Sequence, residues 1–175
     1  MNERRLILYI ATSLDGYIAT EDDSLEWLFK TEGEGDNGYS DFYNTIDTIL
    51  IGRRTYDWIM KEESGNFPYK NKECYIFSKS KSGKEENVEF INQDLVSFTN
   101  KIKRLDGGNI WLVGGGSLLQ AFIKERLVDE LIITIAPTLI GNGIPLFKNN
   151  DFEMELELMN IRKFNQFVEI HYKVK

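Results

Sequence analysis

The chain has 175 residues, with 21 Lys and Arg against 28 Asp and Glu and a formal charge of −7; that length fits one domain with its own core, and the acidity repels polyphosphate and anionic lipid, so neither nucleic acid nor a membrane is an expected partner. A single cysteine, Cys74, excludes an internal disulfide and a multi-cysteine metal site, and a single histidine, His171, excludes a His-rich centre. The first apolar run is too short for a signal peptide or a membrane span, which leads to the expectation of a cytoplasmic protein whose chemistry falls to carboxylates, hydroxyls, backbone groups or a bound organic cofactor.

Short runs rich in branched residues, at 6–11, 48–51, 74–77, 88–91, 110–113 and 131–136, are bounded by Gly, Ser or charge and read as buried strands. Their near-continuous apolarity points to a parallel sheet covered by helices on both faces. Between them, short helices are expected over about 40–46 and 55–62. Asp94 suits the N-cap of a helix with Leu95, Phe98, Ile102 and Leu105 on one face and Lys101, Lys103 and Arg104 near its C-terminal end, in keeping with the helix dipole. A further helix over 117–125 places Leu118, Leu119, Phe122 and Ile123 on one stripe. In the tail, Met154, Leu156 and Leu158 alternate with glutamates, Asn165-Gln166 reads as a turn, and Val168, Ile170, Tyr172 and Val174 alternate with Glu169, His171, Lys173 and Lys175. That is an antiparallel hairpin whose charged face is expected to be wet. The expected fold class is α/β: one domain over 1–175, a mixed and mainly parallel sheet flanked by helices, ending in an antiparallel hairpin.

The polar sequences that follow the strands carry the functional argument. They are Thr12-Ser13-Leu14-Asp15-Gly16, Gly52-Arg53-Arg54-Thr55, Ser78-Lys79-Ser80 and Gly114-Gly115-Gly116-Ser117. In an open α/β sheet, ligands gather outside the carboxyl ends of the strands. Glycines let backbone N–H groups approach a phosphate, and a helix N-terminus adds unpaired donors and a positive dipole end. Arg53 and Arg54 add planar donors suited to a phosphate such as an adenosine 2′-phosphate, with Ser78 and Lys79 placed to face the same group. Each feature alone also has a plain reading, a tight turn for the glycines and a solvated face for the arginines. The glycine block is neither a P-loop nor a Rossmann fingerprint, because the Lys-Ser/Thr and the third spaced glycine are missing.

The blocks SLDGYIA, ILIGRRTYDWI, YIFSKS, WLVGGGSLLQAFI and LVDELIITIAPTLIGNGIPLF, in this order and over nearly the whole chain, resemble the dihydrofolate reductase-like superfamily. The likeness is strongest to the reductase (C-terminal) domain of bacterial bifunctional riboflavin-biosynthesis deaminase/reductases and their stand-alone relatives. The resemblance implies a three-layer fold with about eight sheet strands. It also implies NADPH as cofactor and hydride transfer to a small pyrimidine or pterin-like heterocycle, as in 5-amino-6-(5-phosphoribosylamino)uracil reduction. Carried over by position, Gly52, Arg53, Arg54 and Thr55 meet the adenosine phosphates, with Ser78, Lys79 and Ser80 near the 2′-phosphate. Gly114, Gly115, Gly116 and Ser117 hold the pyrophosphate, Val113 and Leu118 also belong to the cofactor site, and Ala11 and Ile18 flank the nicotinamide. A cis peptide at Gly114–Gly115 and a homodimer are further implications.

On the substrate side, Asp15, Asp36 and Asp41 are the candidate acids. Asp15, at a strand end beside the expected nicotinamide, is the first choice as catalytic and substrate-binding acid, with a turn aspartate as the plain alternative. Asp36 stands where the superfamily's substrate acid is sought by spacing, but in the loop GEGDNG rather than on a helix. Trp27 is either a substrate-binding lid residue or an anchor for the acidic loop. Cys74 and Trp111 read as core, and His171 as surface or interface. Folate reduction and a non-catalytic nucleotide-binding role stay open as alternatives. Residues 1–40 hold 3 basic and 9 acidic groups, while residues 52–104 hold 11 basic and 8 acidic, so the expected cofactor segment is locally positive.

Overall fold

A computed structural model describes residues 4–149 and 153–175. Strands β1 (Leu6–Ser13), β3 (Ile46–Gly52), β4 (Glu73–Phe77), β6 (Glu89–Ile91), β7 (Asn109–Gly114) and β8 (Glu130–Ala136) occupy the six apolar runs. They join with β5 (Gly83–Lys84), β10 (Leu156–Phe164) and β11 (Phe167–Val174) in a nine-stranded sheet ordered β10-β11-β8-β1-β7-β3-β4-β6-β5. Pairings through the centre are parallel, from β8 across β1, β7, β3 and β4 to β6. The pairs β10–β11, β11–β8 and β5–β6 are antiparallel. Two further short strands, β2 (Tyr17–Ala19) and β9 (Ile144–Pro145), pair with each other at the edge of the fold.

The central strands are apolar on both sides because both sides are covered. On one face Leu6, Leu8, Leu50, Ile110, Leu112, Leu131 and Ile133 pack against α4 (Leu95–Lys103) and α5 (Gly116–Lys124) through Phe98, Ile102, Leu119, Phe122 and Ile123. On the other, Ile7, Ile49, Ile51, Trp111 and Ile132 pack against α2 (Tyr39–Asn44) and α3 (Arg53–Glu62) through Phe42 and Ile59. This is the expected three-layer arrangement. Leu6, Leu50 and Leu112 are fully buried, so truncating any one to Ala costs about 2–5 kcal/mol. Asp94 caps α4 as expected, its carboxylate accepting from Ser97 N at 2.8 Å.

The second face is divided. Toward its outer end, Trp27 from α1 (Glu26–Phe29) packs with Ala136 and Phe167 in a separate small cluster. Helix α1 and the strands β2, β5 and β9 are too short to show a period in sequence. The hairpin departs from the simple wet-face expectation. Glu169 is only 3% exposed and Phe167 is buried, whereas Val168 is 43% exposed. The reason is tertiary: α1 and the segment leading to α2 cover the side of the hairpin that alternation assigns to water. His171 is half-buried rather than free on the surface, with Nε2 2.9 Å from Oε2 of the buried Glu130. Cys74 is buried, and burial pushes its thiol up to about 12, consistent with a core residue.

Candidate active site

Two helix N-termini meet at the carboxyl ends of β3 and β7. Gly52 ends β3 and caps α3; Gly115 follows β7 and caps α5. Ile51 lies in register with Gly114, which brings the two turns side by side. The contact is close enough to demand glycine. A Cβ at Gly115 would lie 2.6 Å from Thr55 Oγ1, and one at Gly52 would lie 3.3 Å from Gly115 N. Gly114 has φ +120° and the Gly114–Gly115 peptide is cis, the bond the resemblance implied. Neither helix start has a side-chain cap, so the first-turn N–H groups of α3 and α5 are donors available to an anion.

Cations stand at the outer end of this corner. The Arg53 guanidinium lies 5.4 Å from the centre of the Phe90 ring, and Lys81 Nζ lies 4.1 Å from the same ring. Ser78 is buried, and its Oγ accepts from the Ser80 and Lys81 amides at 3.3 and 3.1 Å. That turn leaves Lys79 and Ser80 exposed. Lys81 was not singled out from sequence; its spacing after Ser78 is the signal that would have found it. Both arginines already have carboxylate partners. Arg53 Nε is 2.9 Å from Asp57, and Arg54 reaches Asp23, in the loop after β2, at 2.7 Å with its side chain 76% exposed. Of the other residues carried over, Val113, Gly116 and Leu118 are half-buried and Ser117 is exposed at the first turn of α5; Ala11 and Ile18 are half-buried on β1 and β2.

Asp15, Asp36 and Trp27, among the residues expected on the substrate side, each have partners within the protein. Asp15 is exposed, and its carboxylate accepts from Ser13 Oγ at 2.6 Å and from the Gly141 and Ile140 amides at 2.8 and 3.2 Å. The Ser13 hydroxyl, then the Gly141 and Ile140 amides, hold its carboxyl below the usual aspartate value. It therefore ties the loop after β1 to the loop after β8. Asp36 accepts from Gly38 N at 3.0 Å and Ser40 N at 2.9 Å, bonds that organise the start of α2. Ser40 is the main cause holding its carboxyl low. Trp27 is buried and packs with Ala136 and Phe167.

A different set of groups lines the second face of the sheet between its two apolar clusters. Ala11 pairs with Thr134, Thr134 with Glu169 and Glu169 with Arg162, so these four side chains form one row across β1, β8, β11 and β10. Arg162 Nε donates to Glu169 Oε1 at 2.7 Å, while Glu169 Oε2 is buried with no hydrogen-bond partner. Tyr9, one pleat away from Ala11, stacks on Phe42 at 4.0 Å with Trp111 edge-on at 6.0 Å. Burial, and then the Glu169 charge, push the Tyr9 hydroxyl above its usual value, so it stays protonated. Sequence reasoning missed Glu169, Arg162 and Tyr9, because a glutamate in an alternating hairpin looks solvated until the opposing layer is in place.

Comparison with known proteins places this architecture. Residues 4–169 match the family model described as the RibD C-terminal domain. The chain is 49% identical over 171 residues to the uncharacterized protein YwjB of Bacillus subtilis, covering 97% of this chain and 98% of that one. A crystal structure of a putative riboflavin biosynthesis protein from Shewanella sp. PV-4 superposes with a TM-score of 0.87 at 29% identity, covering 98% and 99% of the two chains. The Thermotoga maritima diaminohydroxyphosphoribosylaminopyrimidine deaminase/5-amino-6-(5-phosphoribosylamino)uracil reductase shares the fold, with a TM-score of 0.71 at 13% identity over 99% of this chain and 57% of its own. The paired glycine turns, the mainly parallel sheet and the closing hairpin thus make this chain a member of the RibD C-terminal domain family, with a dihydrofolate reductase-like fold.

Proposed function

We propose that the chain is an NADPH-dependent reductase of a pyrimidine or pterin-like heterocycle, similar in chemistry to 5-amino-6-(5-phosphoribosylamino)uracil reduction. The observation that carries this reading is the paired turn at Gly52 and Gly114–Gly115, where a Cβ would fill the space at either turn and two uncapped helices present their N–H groups. The residues fit the cofactor. First-turn amides of α3 and α5 suit the pyrophosphate, and Arg53, Arg54, Lys79 and Lys81 suit the extra phosphate that distinguishes NADPH from NADH. NADPH, when bound, supplies the hydride.

The protein's own task is to hold two planar rings together over Ala11 and keep water away. The Asp15 clamp ties the loop between β1 and β2, which leads to Ile18, to the loop after β8, and Tyr9, Phe42 and Trp111 form an apolar wall beside Ala11. With Asp15 and Asp36 committed to backbone amides, the protonated Tyr9 hydroxyl is the proton-bearing group on this wall, and it serves as a hydrogen-bond donor to the substrate. Titration of protein fluorescence tests the reading: saturable quenching by NADPH is expected, with NADH much weaker. NADPH oxidation with a panel of phosphoribosylaminopyrimidines and dihydropterins then separates the alternatives. Turnover of a pyrimidine supports the proposal, turnover of dihydrofolate alone reassigns the substrate, and binding without any turnover makes the protein a nucleotide binder.

A further inference from the structure

The Glu169 carboxylate stands half-satisfied in the row that runs from Ala11 to Arg162. Oε1 is held by Arg162, yet Oε2 is buried and lacks a donor. A buried acceptor without a donor costs free energy that a ligand N–H would return. Adjacent strands lie about 4.8 Å apart, so Glu169 is about 10 Å from Ala11 across β8. A heterocycle stacked beside Ala11 would extend over Thr134 and bring its far edge to Glu169. The charges there are unbalanced toward the negative. Tyr9 feels both Glu169 and Asp36, and Arg162, the cation of the row, feels Glu169 and Asp41. Aromatic side chains flank the row on the α2 side, with Tyr39 6.4 Å from Tyr9.

We infer that Glu169, oriented by Arg162, recognises the N–H edge of an aminopyrimidine-type ring, so that the substrate-binding carboxylate of this chain comes from the closing hairpin. This rests on the reductase reading above and names the substrate class of the same site. The cover over the subsite is the segment 30–38, which joins α1 to α2. It touches the hairpin where Gly38 abuts the Arg162 guanidinium and Phe164, and where Gln166 N donates to the Glu32 carbonyl at 3.2 Å. A ring reaches Glu169 Oε2 by displacing this segment. Any side chain at Gly38 would collide with Arg162, and Gly38 also has φ +76°.

The test is calorimetric titration of the NADPH-treated protein with 2,4-diaminopyrimidine, which presents several N–H donors, and with unsubstituted pyrimidine, which stacks but donates none. Wild type is expected to prefer the diamino compound. Glu169→Gln should weaken that compound alone by about 10–100-fold, the range of one charge-assisted hydrogen bond, while NADPH quenching is unchanged. Arg162→Gln should also weaken the diamino compound while leaving unsubstituted pyrimidine unchanged, because Glu169 loses the partner that orients it; an equal effect on both compounds would make the ion pair purely structural. Equal binding of the two pyrimidines by wild type, an unaffected Glu169→Gln variant, or unfolding of both variants would overturn the inference. Failure of wild type to bind NADPH would overturn the reductase reading instead. If Glu169→Gln alone fails to fold, the selectivity of the Arg162→Gln change between the two pyrimidines decides.

Discussion

The cofactor corner and the row from Ala11 to Arg162 lie on one molecule but are built from different material. At the corner proposed for the cofactor the elements are backbone: two glycine turns in contact and two uncapped helix starts, with exposed or half-exposed cations beside them. Along the row they are side chains, and the charge is buried, with Glu169 held by Arg162 beneath a loop. Backbone recognition suits an invariant cofactor, because any residue larger than glycine ruins it. Side-chain recognition suits a substrate that differs between relatives, because the fold survives exchange of the group that touches the ligand.

The largest effect that would test this contrast is at Gly115. Gly115→Ala places a methyl against the short, stiff Thr55 side chain, and NADPH affinity is expected to fall by about 100-fold, at the scale of a disrupted charge-assisted contact set. Adding Thr55→Ala should restore part of it; no recovery in fluorescence titration would mean that the glycine serves something other than this close approach. Next is the double variant Arg53→Ala/Arg54→Ala, expected to lose about 10–100-fold in NADPH affinity while NADH binding barely changes. Equal losses for both nucleotides would place the 2′-phosphate elsewhere.

A smaller and pH-dependent effect belongs to Asp15. Its carboxyl is held below the unfolded value of 3.8 by Ser13 and two loop amides, so its contribution to stability is fully present above that value and is lost as pH falls through the lower folded one. The difference in Tm between wild type and Asp15→Asn should therefore be constant near neutrality and shrink below pH 3.8. The pH profile of turnover near neutrality should be the same in both proteins; a profile altered by Asp15→Asn would restore Asp15 as the acid. The smallest effect is at Asp23. Because its ion pair with Arg54 is largely exposed, Asp23→Asn should raise NADPH affinity by only about two- to threefold, as expected when a weak surface pair no longer competes for the arginine.

Much of the corner was legible in sequence because its parts are local. A glycine at a strand end, a helix start immediately after it and a basic pair in its first turn are contiguous in GRRT, and the same logic applies to GGGS. The strand runs were legible because burial on both faces leaves a continuous apolar signature, and Asp94 because a cap acts within its own helix. The acids were not legible, since an aspartate in a loop looks alike whether it meets substrate, clamps a second loop as Asp15 does, or organises a helix start as Asp36 does.

The sequence by itself determined the buried strands, the cap of α4 and the glycine turns at the ends of β3 and β7, each of which depends on neighbours a few residues apart. Only the tertiary structure decided that Glu169 is buried. Glu169 alternates with apolar residues in a hairpin that looks half-wet, and it becomes an interior group only when α1 and the 30–38 segment, more than 130 residues earlier in the chain, close over that face. Solvation of a charge depends on the whole surrounding surface, whereas the propensities that made the strands and helices legible act along the chain.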